Sequence, residues 1–99
     1  MDYLTYKKEK WPLRVSYYAL KQYQLETGKG IEALEEEISN LEILLHYSIV
    51  AGCRATDKEF TLKREDMEFL LDESLTEFNE ILTGSFPDPT GQTSKSKKK

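Results

Sequence analysis

One cysteine, Cys53, and one histidine, His46, are all that these 99 residues offer of the side chains most used in redox chemistry and tetrahedral metal binding. A single thiol excludes an internal disulfide, and the two residues together are too few for a Cys/His zinc site, which makes a reducing cytosol the natural setting. Long apolar runs are also missing. None reaches the roughly 20 residues needed to cross a bilayer, and the start, "MDYLTYKKEKWP", has no apolar centre of the kind a secretory signal needs. The expectation is a soluble protein that is not exported. Basic charge is scarce where it would matter most for nucleic acid. Residues 1–30 carry six basic and three acidic side chains, residues 31–83 four and fourteen, and residues 84–99 four and one. The sums are +3, −10 and +3. A strongly acidic middle disfavours a reader of phosphates and leaves a protein partner, or plain solubility, as its use.

What is present is enough for one small core. The chain has 38% hydrophobic residues and 11% aromatics, and a chain this short buries about two-thirds of its unfolded surface. Residues 1–12 mix Tyr3, Tyr6 and Trp11 with Lys7, Lys8 and Lys10 without a clear period, which predicts an N-terminal arm or part of a strand. Leu13, Val15 and Tyr17 alternate with polar residues, so 13–17 reads as either a short strand or a helix start after Pro12. From Ser16 the spacing of Ala19, Leu20 and Tyr23 fits one helical face, and Gly28 is placed to end that helix by adopting positive φ. The loop "TGKG" that follows is not a phosphate loop: it lacks the upstream glycine and the Ser or Thr after the lysine. Ile31, Leu34 and Ile38 are expected on one face of a short amphipathic helix or turn.

Ser39 or Asn40 can cap a further helix, and from 41 to 53 that helix is apolar nearly all round. It is either the centre of the core or half of an interface between chains. His46 and Ser48 lie two apart, so they point in different directions and read as structural residues, as does Cys53. Met67, Leu70, Leu71, Leu75, Phe78, Ile81 and Leu82 are spaced by three and four, predicting a last helix to about 82 with a bend at "DES". Residues 84–99, "GSFPDPTGQTSKSKKK", are too poor in apolar side chains to offset the entropy of ordering them and are expected to be a disordered basic tail.

Counting from Asp57, oxygen-bearing side chains fall at places 1, 3, 5, 9 and 12 (Asp57, Glu59, Thr61, Glu65 and Glu68), the ligand spacing of a calcium-binding EF-hand loop. The sixth place needs glycine and holds Leu62, the eighth needs an apolar residue and holds Arg64. A helix start accounts for more of the segment. Thr61 can cap the first turn, Glu65 and Asp66 sit well against the helix dipole, and Phe60 and Leu62 are free to staple the loop to the core. No metal and no cofactor are expected.

Three segments carry a resemblance. "YYALKQYQLETGKG", "NLEILLHYSIVAGCRATDKEF" and "TLKREDMEFLLDES" resemble, in content and in order, the tail assembly chaperones of long-tailed phages and prophages, over about residues 13–82. The fold class expected is mainly α: a small bundle of three to four helices over 13–83, with a short strand before it as an option, an arm at 1–12 and a tail at 84–99. The resemblance implies a non-enzymatic protein of the bacterial host cytoplasm. It would bind the tape measure protein, keep it soluble and help to recruit tail tube subunits. It also implies a longer, frameshifted form, for which the lysines of "KSKKK" can mark the place; a solubilising tail explains them as well. Glu35, Glu36 and Glu37 are the candidate partner-binding residues, with a solvated helix face as the plainer account. The other reading left open is a small helical adaptor or regulator that oligomerises through its apolar helix, 41–53. No membrane or nucleic-acid partner is expected.

Overall fold

The computed structural model describes residues 1–34 and 36–85. The elements are β1 (Asp2–Tyr6), β2 (Glu9–Leu13), α1 (Tyr17–Thr27), a 3₁₀ turn (Ile31–Leu34), α2 (Ser39–Thr56) and α3 (Arg64–Ser85). The protein is therefore mainly α, with a two-stranded antiparallel hairpin at its N-terminal end. From residue 86 on, the expected tail lies outside the described residues, and Gly84 and Ser85 belong to α3.

Residues 1–12, where an arm or part of a strand was the expectation, are almost entirely hairpin. Asp2 pairs with Leu13, Leu4 with Trp11 and Tyr6 with Glu9. The two-residue turn is Lys7–Lys8, both at positive φ (52° and 66°), as the primed turns that match strand twist require. Lysine is a poor turn former there, so tertiary packing must hold the hairpin. It does: Leu4, Tyr6, Trp11 and Leu13 are all buried, on the face that the period of two directs at the helices. A boundary at Leu13 between arm and domain thus does not exist, since the core runs through both. Pro12 is tolerated because a two-stranded sheet has free edges and needs no N–H there.

Leu13 ends the strand and Tyr17 begins the helix, which settles the open choice at 13–17 by dividing it. Ser16 Oγ accepts from the Ala19 N–H at 3.4 Å as the N-cap of α1. Gly28 ends the helix at φ 72°, its N–H donating to the Gln24 carbonyl at 2.8 Å. The stop at Gly28 is as read from the sequence, whereas Ser16, counted there with the helical face, is the cap before it.

Helix α2 is the centre of the core, packed by β2, α1, α3 and the 3₁₀ turn. Leu44, Leu45, Ser48 and Ile49 are fully buried. Its role as an interface between chains therefore loses its surface, because the chain's own elements cover it. Neither Ser39 nor Asn40 caps it. Instead the Asn40 Nδ2 donates to the Ala33 carbonyl at 2.9 Å, tying the 3₁₀ turn to the helix. Ala33 is the buried member of that turn, whereas Ile38 is 72% exposed, so Ile31, Leu34 and Ile38 do not form one buried face.

Asp57, first of the supposed calcium ligands, is the left-handed C-cap of α2 (φ 57°). Thr61 is exposed and caps nothing. The start of α3 is closed by Asp66, whose Oδ2 accepts from the Lys63 N–H at 2.8 Å, the reverse half of a capping box. Its Oδ1 accepts from the Tyr6 hydroxyl at 3.2 Å, so one carboxylate starts α3 and fastens it to β1. Phe60 and Leu62 pack against the core as expected. The bend at "DES" falls at Ser74 (φ −132°, ψ 27°). It turns Ser74 inward and leaves Leu75 37% exposed, so Leu75, predicted for the core, lies at its edge.

Candidate functional site

The expected partner surface does not form a helix face. Glu35 lies outside the described residues, and Glu36 and Glu37 are exposed in the link between the 3₁₀ turn and α2. Glu37 meets the Lys29 ammonium at 3.6 Å, both well exposed, a pair worth at most about 1 kcal/mol.

A polar cluster that the sequence pattern did not reveal joins the three helices. Glu26 near the end of α1 accepts from the Tyr47 hydroxyl of α2 at 2.7 Å, and from Arg64 of α3 through Nη1 at 2.6 Å and Nη2 at 2.8 Å. The forked guanidinium matches the carboxylate in two parallel bonds, which a lysine cannot reproduce. The Arg64 guanidinium, then the Tyr47 hydroxyl, hold the Glu26 carboxyl down at about 2. The Tyr47 hydroxyl is pushed up because it donates to Glu26. Arg64 also stands 5.6 Å from the Tyr47 ring centroid. His46 lies edge-on to Tyr47 and Phe60 at 5.1 and 5.2 Å. Burial, then the nearby Arg64 charge, pushes its imidazole below the ordinary value. Burial likewise pushes the Cys53 thiol up, away from the thiolate that a nucleophile needs. Glu26, Tyr47 and Arg64 are engaged in holding the helices together. Among the described residues, no three His, Cys, Asp or Glu side chains gather as a metal site would require, and no helix is long and apolar enough to cross a membrane.

The surface around the start of α2 is different in kind. An open groove of about 630 Å³ runs between the 3₁₀ turn and the second half of α3, lined by Ile31, Leu34, Leu41 and Leu82 with Glu32 and Asn79. A second, of about 240 Å³, lies between the start of α2 and the first half of α3. Ile38, Leu71 and Leu75 line it together with Glu42, Glu68 and Asp72. Single exposed apolar side chains are ordinary on any protein. Here Ile31, Ile38 and Leu75, at 39%, 72% and 37% exposed, border two grooves at one end of the molecule. Fully burying a side chain of this size stabilises by about 1.5–3 kcal/mol; Ile38 forgoes most of that, and Ile31 and Leu75 the smaller part still exposed.

Comparison with protein-family models, with curated proteins and with solved structures finds no match to this chain.

Proposed function

We propose that this protein is a non-enzymatic binding protein, and that its task is that of a tail assembly chaperone of a long-tailed phage or prophage. It would hold the long helical tape measure protein in soluble form and help to bring tail tube subunits to it. The observation that carries the binding role is the groove of about 630 Å³ beside the 3₁₀ turn, apolar along its floor and acidic at Glu32. An amphipathic helix docks in such a groove by its apolar stripe, with spaced anchors, while the acidic surroundings keep the complex soluble. The phage assignment rests on the order of the sequence segments. Two of their features have structural uses that fit it: "TGKG" supplies the C-cap of α1, and the acidic start of "REDMEFLL" closes and anchors α3.

The test is co-expression with the tape measure gene from the same phage neighbourhood. The tape measure protein is expected in the soluble fraction and in pull-downs with this chain. Ile31→Glu paired with Asn79→Glu, both at exposed positions lining the groove, should abolish capture while circular dichroism stays unchanged. Capture that survives both changes would exclude the groove, and repeated failure of the unaltered chain to capture or solubilise the tape measure protein would exclude the phage role.

A further inference from the structure

Charge on the described surface is segregated along α2. At its start, the groove of Ile38, Leu71 and Leu75 is rimmed by Glu42, Glu68 and Asp72. Among the described residues none of these three carboxylates takes part in an ion pair. Near its other end Arg14, Tyr18 and Arg54 line one depression, and no acidic side chain lines it. The Arg54 guanidinium lies over the Tyr18 ring at 5.3 Å. The neighbouring face of α1 is a stripe of Tyr17, Lys21 and Leu25, with Tyr17 79% and Leu25 67% exposed. Residues four apart share a helical face. Arg14, Lys21 and Arg54 likewise have no acidic partner among the described residues.

We propose that a second copy of this chain docks here: the α1 stripe Tyr17, Lys21 and Leu25 of one molecule enters the groove of Ile38, Leu71 and Leu75 of the next. The spacing agrees. From Tyr17 to Leu25 a helix rises about 12 Å, and from Glu68 to Leu75 about 10 Å. Tyr17 and Leu25 cover the apolar floor that the monomer leaves exposed. Lys21 lies between them, and Arg54 flanks them, so that cations face Glu42, Glu68 and Asp72. Charge complementarity of this kind sets register and excludes the like-charged alternatives.

The two patches are different surfaces, so the contact is heterologous. A docked pair still offers one free groove and one free stripe, and the chain of copies continues until it closes or runs open. The groove, at about 240 Å³, falls below the ~300–1,000 Å³ of a pocket that buries a drug-sized ligand. The occupant that suits so shallow a site is a protein surface, and association through it depends on concentration. This inference goes beyond the chaperone reading and does not need it, since the larger groove beside the 3₁₀ turn stays open.

Sedimentation equilibrium of the full chain tests it. The unaltered protein should gain mass steadily with concentration, without a plateau at the dimer, and lose it in about 1 M salt, where the Debye length is about 3 Å. Two variants at exposed positions each remove one patch: E68K with D72K, and K21E with R54E. Each alone should stay monomeric with unchanged circular dichroism. Mixed one to one, they should regain the open-ended association of the unaltered chain, because the native stripe of each fits the native groove of the other, and the reversed stripe the reversed groove. A chain carrying all four changes should associate again. A plateau at the dimer for the unaltered chain, or a mixture that stays monomeric, would overturn the proposal. So would loss of association on K95Q, K97Q, K98Q and K99Q together while K21E with R54E still associates, because the occupant would then be the basic C-terminal segment.

Discussion

The two ends of α2 differ in what they leave to solvent. At the hairpin end Trp11, Leu13, Ala51 and Cys53 are buried. Gly52 brings the backbone of Pro12 and Leu13 so close that a Cβ would lie 2.7 Å from the Leu13 Cα, and the Arg14 N–H donates to the Ser48 carbonyl at 2.9 Å. At the other end Ile31, Ile38 and Leu75 stay partly or largely exposed around two grooves. One end uses its apolar surface for folding, and the other keeps apolar surface available. A 99-residue chain has few core residues to spare, so apolar side chains left uncovered beside the grooves, and on the α1 stripe of Tyr17 and Leu25, point to what those surfaces contact.

The contrast is broken most severely at Gly52. Replacing it with valine drives side-chain carbons into the backbone of Pro12 and Leu13, which cannot rotate away. Overpacking of this kind costs about 3 kcal/mol or more, so the expected result in urea unfolding is a chain without a cooperative transition. Asn40→Ala comes next. It removes the bond to the Ala33 carbonyl, which keeps the Glu36 and Glu37 N–H groups as donors, at a cost of about 1 kcal/mol. Loosening should be confined to the 3₁₀ turn, and hydrogen exchange there should rise before that of the hairpin.

Glu26→Gln should cost about 1 kcal/mol near neutral pH, because Glu26 and Arg64 remain about a third exposed and water screens the pair. Its pH dependence has a definite sign. The Glu26 carboxyl falls from its ordinary 4.5 to about 2 in the folded protein, so its stabilisation is whole above about pH 4.5 and is lost as pH falls toward 2. Unfolding curves of the two proteins should therefore converge near pH 2, and a constant gap would show that the pair is not the source. The smallest effect is expected at Ile38→Ser. A side chain 72% exposed contributes within about 0.5 kcal/mol. A loss larger than 1 kcal/mol would show that the open end is also part of the folding core.

Much of the helical part was legible because each feature rests on neighbours in sequence. Gly28 ends α1 through its own positive φ. The three-four spacing of Met67, Leu70, Leu71, Phe78 and Leu82 marks the buried face of α3, and the bend at "DES" occurs at Ser74. The hairpin was legible only in part, because its turn is Lys7–Lys8, and no local preference places two lysines at positive φ. The helix starts misled for a similar reason. Several oxygen-bearing side chains near 61 and 39 were equally able to cap, and contacts from outside chose among them: Tyr6 holds Asp66, and Ala33 holds Asn40. Of the candidate partner residues, Glu36 and Glu37 lie exposed beside the larger groove's 3₁₀ turn but do not line it.

By itself the sequence determined the class of structure and the distribution of charge: three amphipathic or apolar helices, an acidic middle, and a cysteine and histidine too few for a zinc site. These follow from composition and from periods of a few residues. Only the tertiary structure decided that the first thirteen residues belong to the core, that Glu26, Tyr47 and Arg64 meet, and that Ile31, Ile38 and Leu75 border grooves at one end of α2. Contacts between residues 21 and 60 apart in the chain form only when the packing of all the helices brings them together, and no local pattern encodes that distance.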